Sequence, residues 1–387
     1  MAILIISLVS LSCGAPQRLL TVTNNSSVDR VEEIVEVTIE DADMYAVFTK
    51  DGEAVQCQTT YKGNLIFPVT ISAGAKADYL LRRCKRVDID TLATGRVYPE
   101  WYDDFGWEND KIAFRTYSTK LHDAGSPFYG YDIFTKRYKL PVLDILYGAT
   151  YDKEYRAVIA KLKAEKKGGA ANSLQTALSY HMDHGLGMDY YTVGPTLGSG
   201  TAALRYQGDI VSPGCYSECE ILDRGGLRVS FKLRYKPINV GGEMVQEERI
   251  ITLDRGTHFN YIEVSYKNLV KPQDVVIGIV LHDECRDSQF GDGYVAYAEP
   301  KHQYGWQTYN AVIYPEAIKS EVCYFDEPRG SARGHILSQG RYTSGSTLRY
   351  YMGAGWNRWG FKTPQSWYDH VEEKVERVKT PLTIQLK

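Results

Sequence analysis

Between Tyr180 and Tyr191 the chain reads YHMDHGLGMDYY, two histidines, two aspartates and three tyrosines on a backbone interrupted by glycine. Imidazole is the side chain that changes charge near neutral pH, so His181 and His184 are the residues best suited to move a proton. They stand three apart with Asp183 between them. On a helix both rings would share a face, but Gly185 and Gly187 favour a strand running into a loop. Three readings follow: acid–base work, ligation of a divalent metal by His and Asp, and a structural hydrogen-bonded cluster. Tyr190 adds a hydroxyl able to give or take a proton.

A second group of chemically useful residues lies upstream in PEWYDDFGWENDKIAFR (99–115). An aromatic face such as Trp107 can carry a sugar ring while Glu108, Asn109 and Arg115 read hydroxyls or a carboxylate. The equal alternative is an edge strand with solvated charges. Further on, LHDE (281–284), KHQYGW (301–306) and YYMGAGWNRWGF (350–361) supply His282, His302, Trp306, Trp356, Arg358 and Trp359, a mixture suited to the wall of a carbohydrate cleft. The substrate-binding candidates are therefore Trp107, Glu108, Asn109, Asp183, His282, Trp306 and Trp356. No GxSxG elbow, phosphate-binding P-loop, HExxH or dinucleotide fingerprint occurs, so serine hydrolase, kinase, zincin and dehydrogenase readings have no basis.

Strands must position these groups. In LRVSFKLRY, Leu227, Val229, Phe231, Leu233 and Tyr235 alternate with polar residues, the period of a half-buried antiparallel strand. The same period recurs at 33–39, 249–253 and 261–266, while VVIGIVL (275–281) is apolar on both faces. Helices are predicted only at 152–167, closed by Gly168-Gly169, and at 366–378. The fold class expected is all-β, a large antiparallel two-sheet supersandwich (91–387) preceded by an N-terminal β segment (16–90) packed on it. With 387 residues, a net charge of −3 and 30 tyrosines, the chain has ample core and no basic footprint for nucleic acid.

Residues 2–12, AILIISLVSLS, form an apolar run too short to span a bilayer, ending at Cys13. The segment 1–15 is read as an export signal of lipoprotein type, with Cys13 as the lipid anchor of a periplasmic or outer-membrane protein. The six remaining cysteines permit disulfides without requiring them, and CxxxC at Cys215 and Cys219 has no second pair at zinc-site spacing.

WENDKIAFR, YHMDHGLGMDYYTVG with its Gly-rich continuation, and GAGWNRWGF together resemble an uncharacterised family of exported Bacteroidetes proteins from polysaccharide-utilisation gene clusters. Members are associated with degradation of ulvan and other uronate-bearing glycans, and one described activity is that of an oligosaccharide dehydratase. The resemblance spans roughly residues 30–385 and implies a galactose-mutarotase-like β-supersandwich. It departs at Thr196-Leu197, where Ser-Arg is expected. It further implies elimination of water from a terminal uronic acid to a 4,5-unsaturated sugar, with a uronic-acid-containing oligosaccharide as partner. No cofactor is expected, a bound divalent metal being the open alternative.

In such a reaction the substrate carboxylate must be neutralised before the carbon-5 proton can leave. Arg115 and Asn109 suit that task, His181 or His184 the base and Tyr190 the acid. Three alternatives stand beside it. A polysaccharide lyase would expel a sugar instead of water, a glycoside hydrolase would use Glu108 and Asp183 as its carboxylate pair, and a sugar-binding lipoprotein would need no proton relay.

Overall fold

The computed structural model describes residues 17–387, so the segment 1–15 read as an export signal, with Cys13 as expected lipid anchor, lies outside the described residues. Strand predominates, every ladder between strands is antiparallel, and the chain divides into two compact units, residues 17–89 with 380–387, and residues 90–379.

In the smaller unit, Arg18–Thr23 lies between Lys76–Arg83 and Thr383–Leu386 in a five-stranded sheet. A three-stranded sheet is built on Leu65–Ile71. Leu20, Val22, Val35, Val47, Phe67 and Leu81 form its core. The C-terminal strand thus belongs to the N-terminal unit, a pairing that no local pattern announces.

The larger unit holds three sheets. The first runs in the order Gly187–Met188, Asp132–Lys136, Ala113–Thr116, Asp104–Glu108, Thr94–Tyr98. The second is five-stranded around Gln273–Leu281, and the third is nine-stranded, with Phe259–Lys267 and Leu348–Trp356 at its centre. Phe105 and Ile133 from the first, Ile277 and Ile336 from the second, and Phe231, Ile262 and Met352 from the third share one apolar core. Leu227, Val229, Phe231, Leu233 and Tyr235 are all buried, as their alternation predicts. The doubly apolar strand 275–281 is buried on both faces, because Leu197, Ala203 and Leu337 cover Val276 on the side away from the main core. That burial also explains the departure at 196–197: Leu197 fills the space over Gly278, a position that would bury an arginine.

The two predicted helices occur as Lys153–Ala164 and Pro364–Lys379. Leu143–Tyr151 and Gly168–Leu178 were not foreseen; Gly168-Gly169 open the next helix instead of closing the previous one, and the turn falls at Lys166, whose φ is 57°. Cys57, Cys215, Cys219, Cys285 and Cys323 are free thiols, and Cys215 and Cys219 are not joined.

The Pro364–Lys379 helix buries Trp367, Val371 and Val375 and holds His370 against His258, ring centroids 5.0 Å apart. His258 Nδ1 and His370 Nε2 have no hydrogen-bond partner among the described residues. Burial, reinforced by Arg377, Lys374 and Lys111, lowers the His370 pKa to about 4. The folded state therefore favours neutral imidazole, so stability is intact above the unfolded value near 6.5 and is lost as pH falls from 6.5 toward about 4. We expect the melting temperature to drop across that window, and His370→Leu to remove part of the drop; an unaltered pH profile in the variant would exclude this origin.

Candidate active site

Arg115 and Asp132 are directly opposed on neighbouring strands. Across this pair the guanidinium donates to Asp132 through both Nε and Nη2, while Nη2 also reaches Asp189 (2.8 Å) and Nη1 the Tyr180 hydroxyl (3.2 Å). Tyr117 donates to Asp132 from the other side (2.7 Å). A third carboxylate, Asp104, lies 3.9 Å from Arg115 Nε with neither oxygen hydrogen-bonded among the described residues. Burial, with Asp132 adding to it against the pull of Arg115, raises Asp104 to about 8. Burial and Asp132 likewise push Asp189 upward.

The loop containing the two histidines is folded onto this cluster by its own backbone. Asp189 N–H donates to the Tyr180 carbonyl (2.9 Å), and Gly187–Met188 pairs with Thr135 and Lys136. Gly187 adopts φ 114°, and a Cβ there would run into the Thr135 carbonyl, so only glycine fits. Asp183 closes the turn by accepting from the Gly185 and Gly187 amides and from Arg137 (2.8 Å). It is thereby used up structurally rather than offered to a ligand.

His181 Nδ1 is 2.9 Å from the carbonyl of Asp189, an atom that only accepts; the proton is on Nδ1 and the Nε2 lone pair is left for solvent or substrate. The side chain is 61% exposed, its ring packed on Tyr180 at 4.5 Å. Burial on that side, with Arg115 behind it, lowers its pKa below 6.5, so the ring is neutral at pH 7 and competent as a base. His184 is exposed at the tip of the turn and makes no hydrogen bond among the described residues. The structure therefore separates the two histidines: one is oriented, the other is not.

From Asp189 onward four consecutive residues turn to three partners, the last two sharing His282. Asp189 binds Arg115. The Tyr190 ring lies among Trp306 (5.8 Å), His302 (6.2 Å) and Trp356 (6.4 Å), its hydroxyl buried and unpartnered among the described residues. The Tyr191 ring meets His282 edge-on at 5.9 Å. The Thr192 carbonyl accepts from His282 Nε2 (2.8 Å), whose Nδ1 faces Glu299 at 2.8 Å. Burial alone would lower the His282 pKa, but Glu299 and the Thr192 carbonyl outweigh it and raise it. Burial holds Tyr190 above the ordinary tyrosine value, so it carries its proton at neutral pH.

Several expected ligand-binding residues prove to be structural. Trp107 is fully buried and donates to Asn260 (2.7 Å), leaving no ring face for a sugar. Glu108 pairs with Lys136 (2.6 Å) and caps the Leu143–Tyr151 helix by accepting from the Val142 and Leu143 amides. The hydrolase pair Glu108 and Asp183 is therefore not available. Asn109 donates to the Asp254 and Thr257 carbonyls and accepts from Lys111 and Ile112. Arg115 is 6% exposed with every nitrogen engaged, so it serves as counter-charge to buried aspartates and not to a substrate carboxylate. His282 has both nitrogens taken, and Trp356 lies under Tyr190 at 1% exposure. Trp306 remains half-exposed on the loop that stacks His302 against it at 5.0 Å. No three His, Cys, Asp or Glu side chains among the described residues converge to hold a metal ion.

Sequence reasoning missed Asp104, Asp132, Asp189, Tyr191 and Glu299. Asp189 stood inside the quoted loop and was recoverable from the strand register; Asp132 and Glu299 sit in stretches without a motif.

Fold and site together define an antiparallel β-sandwich protein whose histidine-edged polar site is built on one glycine-punctuated loop. The chain belongs to the family described as Domain of unknown function (DUF4861), whose profile matches residues 22–384. It is 23% identical over 398 residues to "Uncharacterized protein P7" of Formosa agariphila, covering 96% of this chain and 93% of that one. Among solved structures, an Enterococcus faecalis protein in the glycosyl hydrolase family 38 superimposes with a TM-score of 0.50 at 8% identity, over 96% of this chain and 47% of that one. An α-mannosidase from Enterococcus faecalis V583 gives 0.46 at 8% identity, over 96% and 46%. The chain thus spans about half the length of these structures, and the likeness to the first is one of fold.

Proposed function

We propose that the protein is a carbohydrate-active enzyme and, within that class, an oligosaccharide dehydratase. It would eliminate water from a non-reducing-end uronic acid and leave a 4,5-unsaturated uronate. The observation that carries this reading is a base and a proton donor carried by one loop: His181, whose Nδ1 is held by the very peptide that leads into Tyr190 and whose Nε2 is left for a substrate, and Tyr190, whose protonated hydroxyl sits just beneath the half-exposed Trp306 loop beside Thr308 and Trp356. His181 Nε2 takes the carbon-5 proton, the released electrons form the carbon-4–carbon-5 double bond, and the carbon-4–oxygen bond breaks as Tyr190 protonates the departing hydroxyl. The half-exposed Trp306 supplies the apolar face on which a pyranose ring can rest. The likeness in fold to the Enterococcus faecalis protein in the glycosyl hydrolase family 38 supports a sugar as ligand. The apolar run at 2–12 supports a place outside the cytoplasm.

The test is incubation with saturated uronate-ended oligosaccharides, followed by mass and ultraviolet absorbance. A product lighter by one water with a new absorbance of an unsaturated uronate is expected. Chain cleavage with the same absorbance would move the assignment to a polysaccharide lyase, cleavage without absorbance to a hydrolase, and no reaction on any such substrate would remove the enzyme reading.

A further inference from the structure

We propose that the helical hairpin formed by Lys153–Ala164 and Gly168–Leu178 is an arm that receives an anionic glycan chain, and that Arg156 at its base reads the carboxylate of the sugar in the site. This rests on the dehydratase reading for the identity of that sugar, and it fills the gap left by Arg115. The hairpin contributes almost nothing to any core: the first helix has no buried residue and the second only Ala171. Such a solvated excursion has no packing role to explain its sequence.

Its sequence is one-sided in charge. Residues 152–167 hold six basic residues against three acidic ones, an excess of three positive charges in a chain whose net charge is −3. Lys153, Arg156 and Lys163 recur at intervals of three and seven, which places them on one face along ~15 Å of helix. Tyr155, 48% exposed, adds an aromatic surface on the same helix. A stripe of separated cations with an exposed ring beside it complements a polymer carrying periodic negative charge and apolar sugar faces.

The base of the arm is tied to the site by contacts. Thr150 Oγ1 donates to the Leu178 carbonyl and accepts from Tyr180 N, each at 2.9 Å. The Tyr151 and Tyr180 hydroxyls are 2.8 Å apart, and Tyr180 in turn touches Arg115 and the His181 ring. The Arg156 guanidinium lies over the Tyr151 ring, 5.7 Å from its centroid, and forms no ion pair among the described residues. It is exposed. An exposed guanidinium placed over the Tyr151 ring, which itself contacts Tyr180 of the histidine loop, and free of a carboxylate partner among the described residues, is arranged to take a bidentate carboxylate from outside.

The test uses the full chain with polygalacturonate as the anionic polymer, dextran as its neutral counterpart, and phosphatidylglycerol vesicles. Wild type is expected to bind polygalacturonate and not dextran. The triple variant Lys153→Ala, Arg156→Ala, Lys163→Ala should bind it at least ~10-fold more weakly, with a shallower salt dependence. All three positions are exposed, so an unchanged melting temperature confirms folding. Arg156→Ala alone should lower kcat for a uronate-ended trisaccharide at least ~10-fold and raise KM as well, because the carboxylate it neutralises must be neutralised before the carbon-5 proton leaves, and Arg156→Lys should recover part of the loss. Polymer binding lost in the triple variant of a protein with no turnover would uphold the arm and sink the dehydratase reading. Undiminished polymer binding by that variant overturns the arm, as does tighter binding to the vesicles than to the polymer.

Discussion

Arg115→Met is expected to destabilise the larger unit by about 3–5 kcal/mol, the cost of breaking a buried ion pair from one side. Arg115 is the sole cation contacting Asp104, Asp132 and Asp189 among the described residues, and its removal leaves Asp132 and Asp189 without their shared donor. Two of the three carboxylates are already held toward the protonated form by burial, which limits the loss at the upper end of that range. Urea unfolding at neutral pH measures it. Asp132→Asn in the Arg115→Met background should recover stability, because it removes the carboxylate that lost its donor. A loss within about 1 kcal/mol for Arg115→Met would mean that the cluster carries no buried charge.

Tyr190→Phe should cut turnover of a uronate-ended oligosaccharide by ~10²- to 10⁴-fold with KM little changed, the range for a positioned acid acting only in the transition state. The substitution removes one buried oxygen that has no partner among the described residues, so stability should hold or rise slightly. His181→Ala should produce a comparable loss. His184→Ala, by contrast, should leave the rate nearly unaltered, since nothing orients that ring. Full activity in Tyr190→Phe would move the acid elsewhere, and inactivity in His184→Ala with a normal fold would restore it to the mechanism.

The strand framework was legible because its information is local. Val229 to Tyr235 alternate within the single strand Arg228–Tyr235, and the all-apolar strand 275–281 records that both its faces are covered. The site was legible in part for the same reason: His181, Asp183, Tyr190 and Gly187 lie in one loop and their spacing is visible. What failed was the distinction between a polar residue that faces a ligand and one that faces the chain itself. Trp107 and Glu108 beside Asn109 resemble a sugar-binding surface, yet Trp107 points into the three-sheet core and Glu108 caps a helix thirty-odd residues away. Asp132 and Glu299 carry no signal of their own. They become site residues only because strand pairing sets Asp132 opposite Arg115 and the chain brings His282 to Glu299.

The segment Asp189–Thr192 assigns four successive residues to three neighbours, Arg115, the Trp306 cluster and, for the last two, His282, while Gly187 and Met188 are locked by pairing immediately before it. Such a stretch has a reading frame: one residue removed just before Asp189 would deliver a tyrosine to Arg115, and one inserted there would deliver a carboxylate to the aromatic rings. Relatives that act on different glycans are therefore expected to keep this segment at constant length and to diversify in the His302–Trp306 loop, the turn around Arg358 and the 153–178 hairpin, where length can vary without shifting any of the four assignments. Exchanging those three pieces between relatives would transplant substrate preference while leaving the reaction itself in place.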